Sequence, residues 1–112
     1  MKRIYLAAPY SSPDPAERER RVELVDRKAA ELMMAGNLVF SPLSHSHPIS
    51  KYCAVDPCDN GFWLLQDLWI LEICDEFHIL CLSGWEDSKG IRIELERANE
   101  LKMKVVLHDT VL

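Results

Sequence analysis

No segment of the chain stays apolar long enough to cross a bilayer. The richest stretch, "FWLL" followed by "LWIL", is interrupted by Gln66 and Asp67, whereas a spanning helix needs about twenty consecutive apolar residues. The N-terminus, "MKRIYLAAPYSSPDP", lacks the apolar centre of a secretion signal, so a cytoplasmic protein is expected. Basic residues form no block and the formal net charge is -5, which leaves no footprint for gripping DNA or RNA. Neither a nucleic-acid polymer nor a membrane is expected as a partner. The four cysteines, Cys53, Cys58, Cys74 and Cys81, have no secretory context, and they read as reduced thiols. Repeats, linkers and low-complexity stretches are missing as well. What remains is 112 residues, 48% hydrophobic and 28% charged, enough for one domain over 1–112 with one core.

The chain alternates short apolar runs with helical patterns. "RIYLAA" (3–8) reads as a strand closed by Pro9. Asp14 then stands at a cap position, Pro15 at the first helical position and Glu17 three residues beyond the cap. Val22, Val25, Ala29 and Leu32 recur at helical spacing until Gly36-Asn37 stops the run. "LVFS" (38–41) reads as a second strand. "PLSHSHPISKYCAVDPCDNG" reads as a loop of roughly twenty residues, a length that points to a binding or lid loop. From Asn60 or Gly61 the chain turns into "FWLLQDLWILEICD", apolar on nearly every face, which implies deep burial or a subunit interface. "EFHILCLS" (76–83) is the third strand, 89–101 the third helix and "KVVLH" (104–108) the fourth strand. Strands alternating with helices in this way predict an α/β fold with a parallel sheet covered on both faces. Its ligand site is expected where the loops at 8–13, 42–60 and 83–90 leave the carboxyl ends of the strands.

Three polar features interrupt the core pattern. Glu94 falls on the helix face of Ile91, Leu95 and Ala98, and Asp67 sits among Trp63, Ile70, Leu71 and Cys74. "DSKG" places Ser88 where a helix opens, at a natural anion seat. Each has a structural reading beside the functional one. Glu94 pairs with Arg92 or Arg97, or lies at the edge of its stripe; Asp67 caps a neighbouring loop or pairs with a lysine across an interface; Ser88 only caps its helix. Gathered on one rim, two carboxylates suit glycosidic chemistry, in which one attacks or stabilises an anomeric carbon and the other handles the leaving group's proton.

"IYLAAPYS", "QDLWILEICDEFHIL" and "SKGIRIELERA" resemble, in that order, the nucleoside 2-deoxyribosyltransferase superfamily, which also holds the 2'-deoxynucleoside 5'-monophosphate N-hydrolases. Ser46-His47-Pro48 and Gly84-Trp85-Glu86-Asp87-Ser88-Lys89-Gly90 resemble a little-characterised bacterial and phage branch of it. The resemblance implies a single-domain Rossmann/flavodoxin-like three-layer sandwich with four to five parallel strands. It implies Glu94 as nucleophile, Asp67 as its assistant, Ser88 at a 5'-phosphate and Tyr5 near the sugar. Pro9, Tyr10, Ser11, His45, His47, Trp85, Gly90 and Arg92 are the further candidates for contact with a small nucleoside or nucleotide.

One residue departs from the relatives' pattern, and the long loop offers a rival reading. Arg92 stands where the N-hydrolases have a glycine, a bulky cation able to clamp a phosphate, neutralise Glu94 or close the pocket. His45, His47, Cys53 and Cys58 carry the atoms of a zinc site, but their spacing matches no standard zinc pattern. No metal or cofactor is expected. The expected activity is hydrolysis or transfer at the N-glycosidic bond of a nucleoside or its 5'-monophosphate, the alternative being a non-catalytic nucleotide-binding module. Residues 62–74 carry more apolar surface than one sheet face covers, so a homo-oligomer is expected.

Overall fold

Four short strands assemble into one parallel sheet in the computed structural model of the chain, which describes residues 1–109. The strands are β1 (Arg3–Ala7), β2 (Leu38–Phe40), β3 (Glu76–Cys81) and β4 (Lys104–Asp109), in the order β2-β1-β3-β4. Side chains alternate across them, as extended backbone requires. Tyr5, Ala7, Phe77 and Ile79 therefore pack on one face against Leu71, Ile91 and Ala98. Leu6, Ala8, Leu80 and Leu82 pack on the other against Val25 and Ala29. The result is the expected three-layer α/β sandwich, with four strands among the described residues; residues 110–112 of the expected domain lie outside the description. No described helix is long and apolar enough to cross a membrane.

The first helix, α1 (Pro15–Met34), starts where the sequence signals it. The Asp14 carboxylate accepts from the Ala16 N–H at 3.0 Å, and Pro15, which has no N–H to satisfy, holds the first position. Gly36 ends it at φ 97° while Asn37 N–H reaches Leu32 O and Gly36 N–H reaches Met33 O, the paired closure that a left-handed residue permits.

The expected loop over 42–60 is corrected in its first half, where Pro42–Ser50 forms a helix, α2. Ser41 and Pro42 repeat the device of Asp14 and Pro15: the Ser41 hydroxyl accepts from Ser44 N–H at 3.3 Å and proline takes the first turn. The Ser44 hydroxyl in turn bonds Asp26, tying α2 to α1. Two prolines and a run of serines read as loop punctuation although the Ser-Pro pair is a helix start.

Helix α3 (Asn60–Leu71) and helix α4 (Lys89–Glu100) cover the Tyr5 face. From β1 the chain runs out through α1 to β2, then returns across β1 to β3. Strand order thus reverses between β1 and β3, and crevices for ligands open at the carboxyl ends of strands at such a point.

Candidate active site

Glu94 reaches the crevice because α4 begins with a capped turn. Ser88 accepts from Ile91 N–H at 3.3 Å, and Ile91, Glu94 and Ala98 follow on one buried face. On α3 the buried face is Leu64, Asp67 and Leu71. Each carboxylate thus occupies a core position of its helix and is only 5% exposed.

Their partners differ. The hydroxyl of Tyr5, wholly buried on β1, donates to Glu94 Oε2 at 2.5 Å. Asp67 Oδ1 is buried with no hydrogen-bond partner among the described residues, a state that costs about 1–3 kcal/mol unless something fills it. Burial pushes the Glu94 carboxyl from 4.5 up to about 8, with the Tyr5 hydrogen bond opposing and the Asp67 charge adding to the rise. Burial alone pushes Asp67 up to about 6. Tyr5 is raised far above its ordinary value, first by burial and then by the Glu94 charge, so its proton stays in place.

Both carboxylates line one cleft of about 600 Å³, open solvent at its mouth included. Its walls come from both sides of the sheet. Trp63, Leu64 and Asp67 belong to α3; Ser88 caps α4, which carries Gly90 and Glu94; Pro42, Leu43, Ser46 and His47 come from α2, and Tyr10 and Ser11 from the loop after β1. At Gly90 α4 comes close to the start of α3, since a Cβ there would lie 3.3 Å from Asn60 Oδ1. On the α2 side, Tyr10 Oη and His47 Nδ1 are 2.8 Å apart, and His47 Nε2 and Glu19 Oε1 2.9 Å.

The cleft gathers Tyr10, Ser11, His47, Asp67, Ser88, Gly90 and Glu94 of the residues expected from the sequence, with Tyr5 behind Glu94. Four others lie elsewhere. Pro9 is buried off the wall. His45 is exposed, its ring 5.7 Å from that of Phe40. Trp85 packs half-buried against the core beneath its loop, and Arg92 is exposed on α4, paired with neither Glu94 nor another described acid. The four zinc-type ligands are not brought together: His47 is engaged by Tyr10 and Glu19, and no group of three or more His, Cys, Asp or Glu among the described residues is placed to hold a metal. Ser46, Ser50, Asn60 and Trp63 join the wall although the sequence does not mark them as contact residues. Recognising α2 would have supplied the first two.

A doubly wound parallel sheet with two buried carboxylates at its switch point defines the class of protein. Within that class, the chain belongs to the family described as Domain of unknown function (DUF1937), whose model matches residues 2–110. No curated protein matches the chain. Among solved structures it is similar to the 2-deoxyribosyltransferase from the psychrotolerant bacterium Bacillus psychrosaccharolyticus. The two share 22% identity at a TM-score of 0.62, over 98% of this chain and 76% of that one. The likeness is one of fold.

Proposed function

We propose that the chain cleaves or transfers at the N-glycosidic bond of a deoxynucleoside or its 5'-monophosphate, with Glu94 as nucleophile. One observation carries the reading: two buried carboxylates from neighbouring helices face a single open cleft, one of them with an acceptor oxygen that nothing among the described residues satisfies. A sugar hydroxyl satisfies that oxygen of Asp67 and sets the pentose against Glu94. The ionised Glu94 attacks C1', the base departs, and water or a second base releases the sugar. Ser88 and the free N–H groups opening α4 take the 5'-phosphate of a nucleotide substrate. The shared fold with a 2-deoxyribosyltransferase supports the substrate class.

Charge states bear on the roles. The order of the two shifts, Glu94 to about 8 and Asp67 to about 6, would by itself cast Glu94 as the acid and Asp67 as the anion. Positive charge developing at C1' reverses that bias, because it favours an anion on whichever carboxylate touches the carbon. Tyr5 helps by donating to the Glu94 anion. The competing module, with Arg92 neutralising Glu94, finds no such pair among the described residues, where Arg92 is exposed and Glu94 is bonded by Tyr5.

The test is base release, followed by chromatography, from a panel of deoxynucleosides and their monophosphates. Wild type releases at least one base and Glu94→Ala loses at least about 100-fold. Release at equal rates by both proteins removes Glu94 from the chemistry, and calorimetric binding of nucleotides without turnover would favour the binding module.

A further inference from the structure

The α2 side of the cleft holds a chain of polar groups that the reaction above leaves unused. Tyr10 Oη lies 2.8 Å from His47 Nδ1, and His47 Nε2 lies 2.9 Å from Glu19 Oε1. The chain runs from the cleft to solvent, because Tyr10 and His47 both line the cleft while the Glu19 side chain is 62% exposed. His47 itself is nearly enclosed, its side chain 12% exposed. Its two ring nitrogens are distinct, and each has one partner, so the state of one bond sets the other. When both nitrogens carry protons, Nε2–H donates to Glu19 and Nδ1–H donates to Tyr10. The phenol is then an acceptor from His47, burial holds its own proton on it, and that proton is left to share with Ser50 or with a ligand in the cleft. Glu19 is held below the ordinary carboxylate range, first by its hydrogen bond to His47 and then by that residue's charge, which keeps an anion beneath the imidazole. Arg18 and Lys51 are the other charged groups near this line.

We propose that Tyr10, backed by His47 and Glu19, is the acid that protonates a departing purine base, an inference that rests on the glycosidic reading above. Pro42, Leu43, Trp63 and Leu64 line the same cleft and give it apolar surface on which a flat ring can pack, and a purine offers a basic ring nitrogen to the phenol. As Glu94 bonds to C1', the C1'–N bond breaks and its electron pair goes to the base. The Tyr10 proton moves to a ring nitrogen and the His47 Nδ1 proton replaces it on the phenol. Water attacking C1' gives its hydroxyl to the sugar, frees the Glu94 carboxylate, and returns its second proton through Tyr10 to Nδ1. Each proton taken from the chain in the first half is restored in the second.

A leaving group that needs no proton separates this role from that of a latch holding α2 on α1. The probes are 2'-deoxyguanosine and its N7-methylated form, whose ring already carries the positive charge and departs neutral. For Tyr10→Phe and His47→Gln, kcat/KM on 2'-deoxyguanosine falls about 100-fold or more while that on the methylated nucleoside stays within a few-fold of wild type. Glu19→Gln, at an exposed position that leaves the fold intact, shows the same split more weakly. Equal losses on both probes, or no loss on either, overturn the assignment and leave the role of Glu94 standing. So does a wild type that releases only pyrimidines. A wild type inert toward both probes and toward the whole panel overturns the glycosidic reading instead, and this inference with it.

Discussion

Burial decides the charge of Glu94 before any substrate arrives. A carboxylate at 5% exposure, bonded to one phenol and facing another acid, is more stable protonated. The folded chain holds this proton up to a pH of about 8, whereas the ordinary value is 4.5. A group raised in this way contributes stability that is complete below the unfolded value and is lost as pH climbs through the folded one. Wild type should therefore lose up to about 1.4 kcal/mol of folding free energy per pH unit across that window from this group. Asp67 acts in the same direction between 3.8 and about 6. Glu94→Gln keeps an acceptor for Tyr5 and cannot ionise, so it should melt close to wild type at pH 5 and several degrees higher at pH 8. Thermal melts at the two pH values check this; an equal difference at both would show that Glu94 ionises normally inside the fold.

Among the elements, α4 shows how much a local signal can carry. Its start is set by the Ser88 cap and its stripe by Ile91, Glu94 and Ala98, all legible from spacing, and the misplaced carboxylate in that stripe was the sequence's clearest pointer to the site. The same is true of Asp67 on α3. Helix α2 was not legible, because Pro42 and Pro48 mimic a loop, and with it went Ser46, Ser50 and the orientation of His47. The bonds of His47 to Tyr10 and Glu19 join residues 37 and 28 positions apart, which no periodicity reveals. Nor did the sequence show how α4 ends. Lys102 takes φ 58°, with its N–H on Asn99 O and Met103 N–H on Ala98 O, the closure that Gly36 gives α1. A side chain in that conformation is strained. Lys102→Gly should raise stability by about 1 kcal/mol, read as a higher urea midpoint at unchanged slope; a lower midpoint would mean that the lysine side chain does more than the strain costs.

For the whole molecule, the side of α3 turned away from the cleft matters. Leu65 and Trp69 stand four residues apart along it and Ile73 follows just past its end, 78%, 60% and 54% exposed. The line carries no charge, so a second copy can cover it without burying an ion, and light scattering at micromolar concentration should give at least a dimer that Trp69→Glu splits into monomers. A monomeric wild type would show that this stripe is left to solvent. The same helix turns Asp67 inward, α4 supplies Glu94, and α2 with the β1 loop lines the cleft; the proposed chemistry depends on how the layers meet. It is tested most directly by quenching turnover with acid and locating any pentosyl group by mass spectrometry of peptides. The account predicts one pentosyl mass on the peptide bearing Glu94, absent from Glu94→Ala. An adduct on Asp67, or base release with no adduct on either carboxylate, would contradict it.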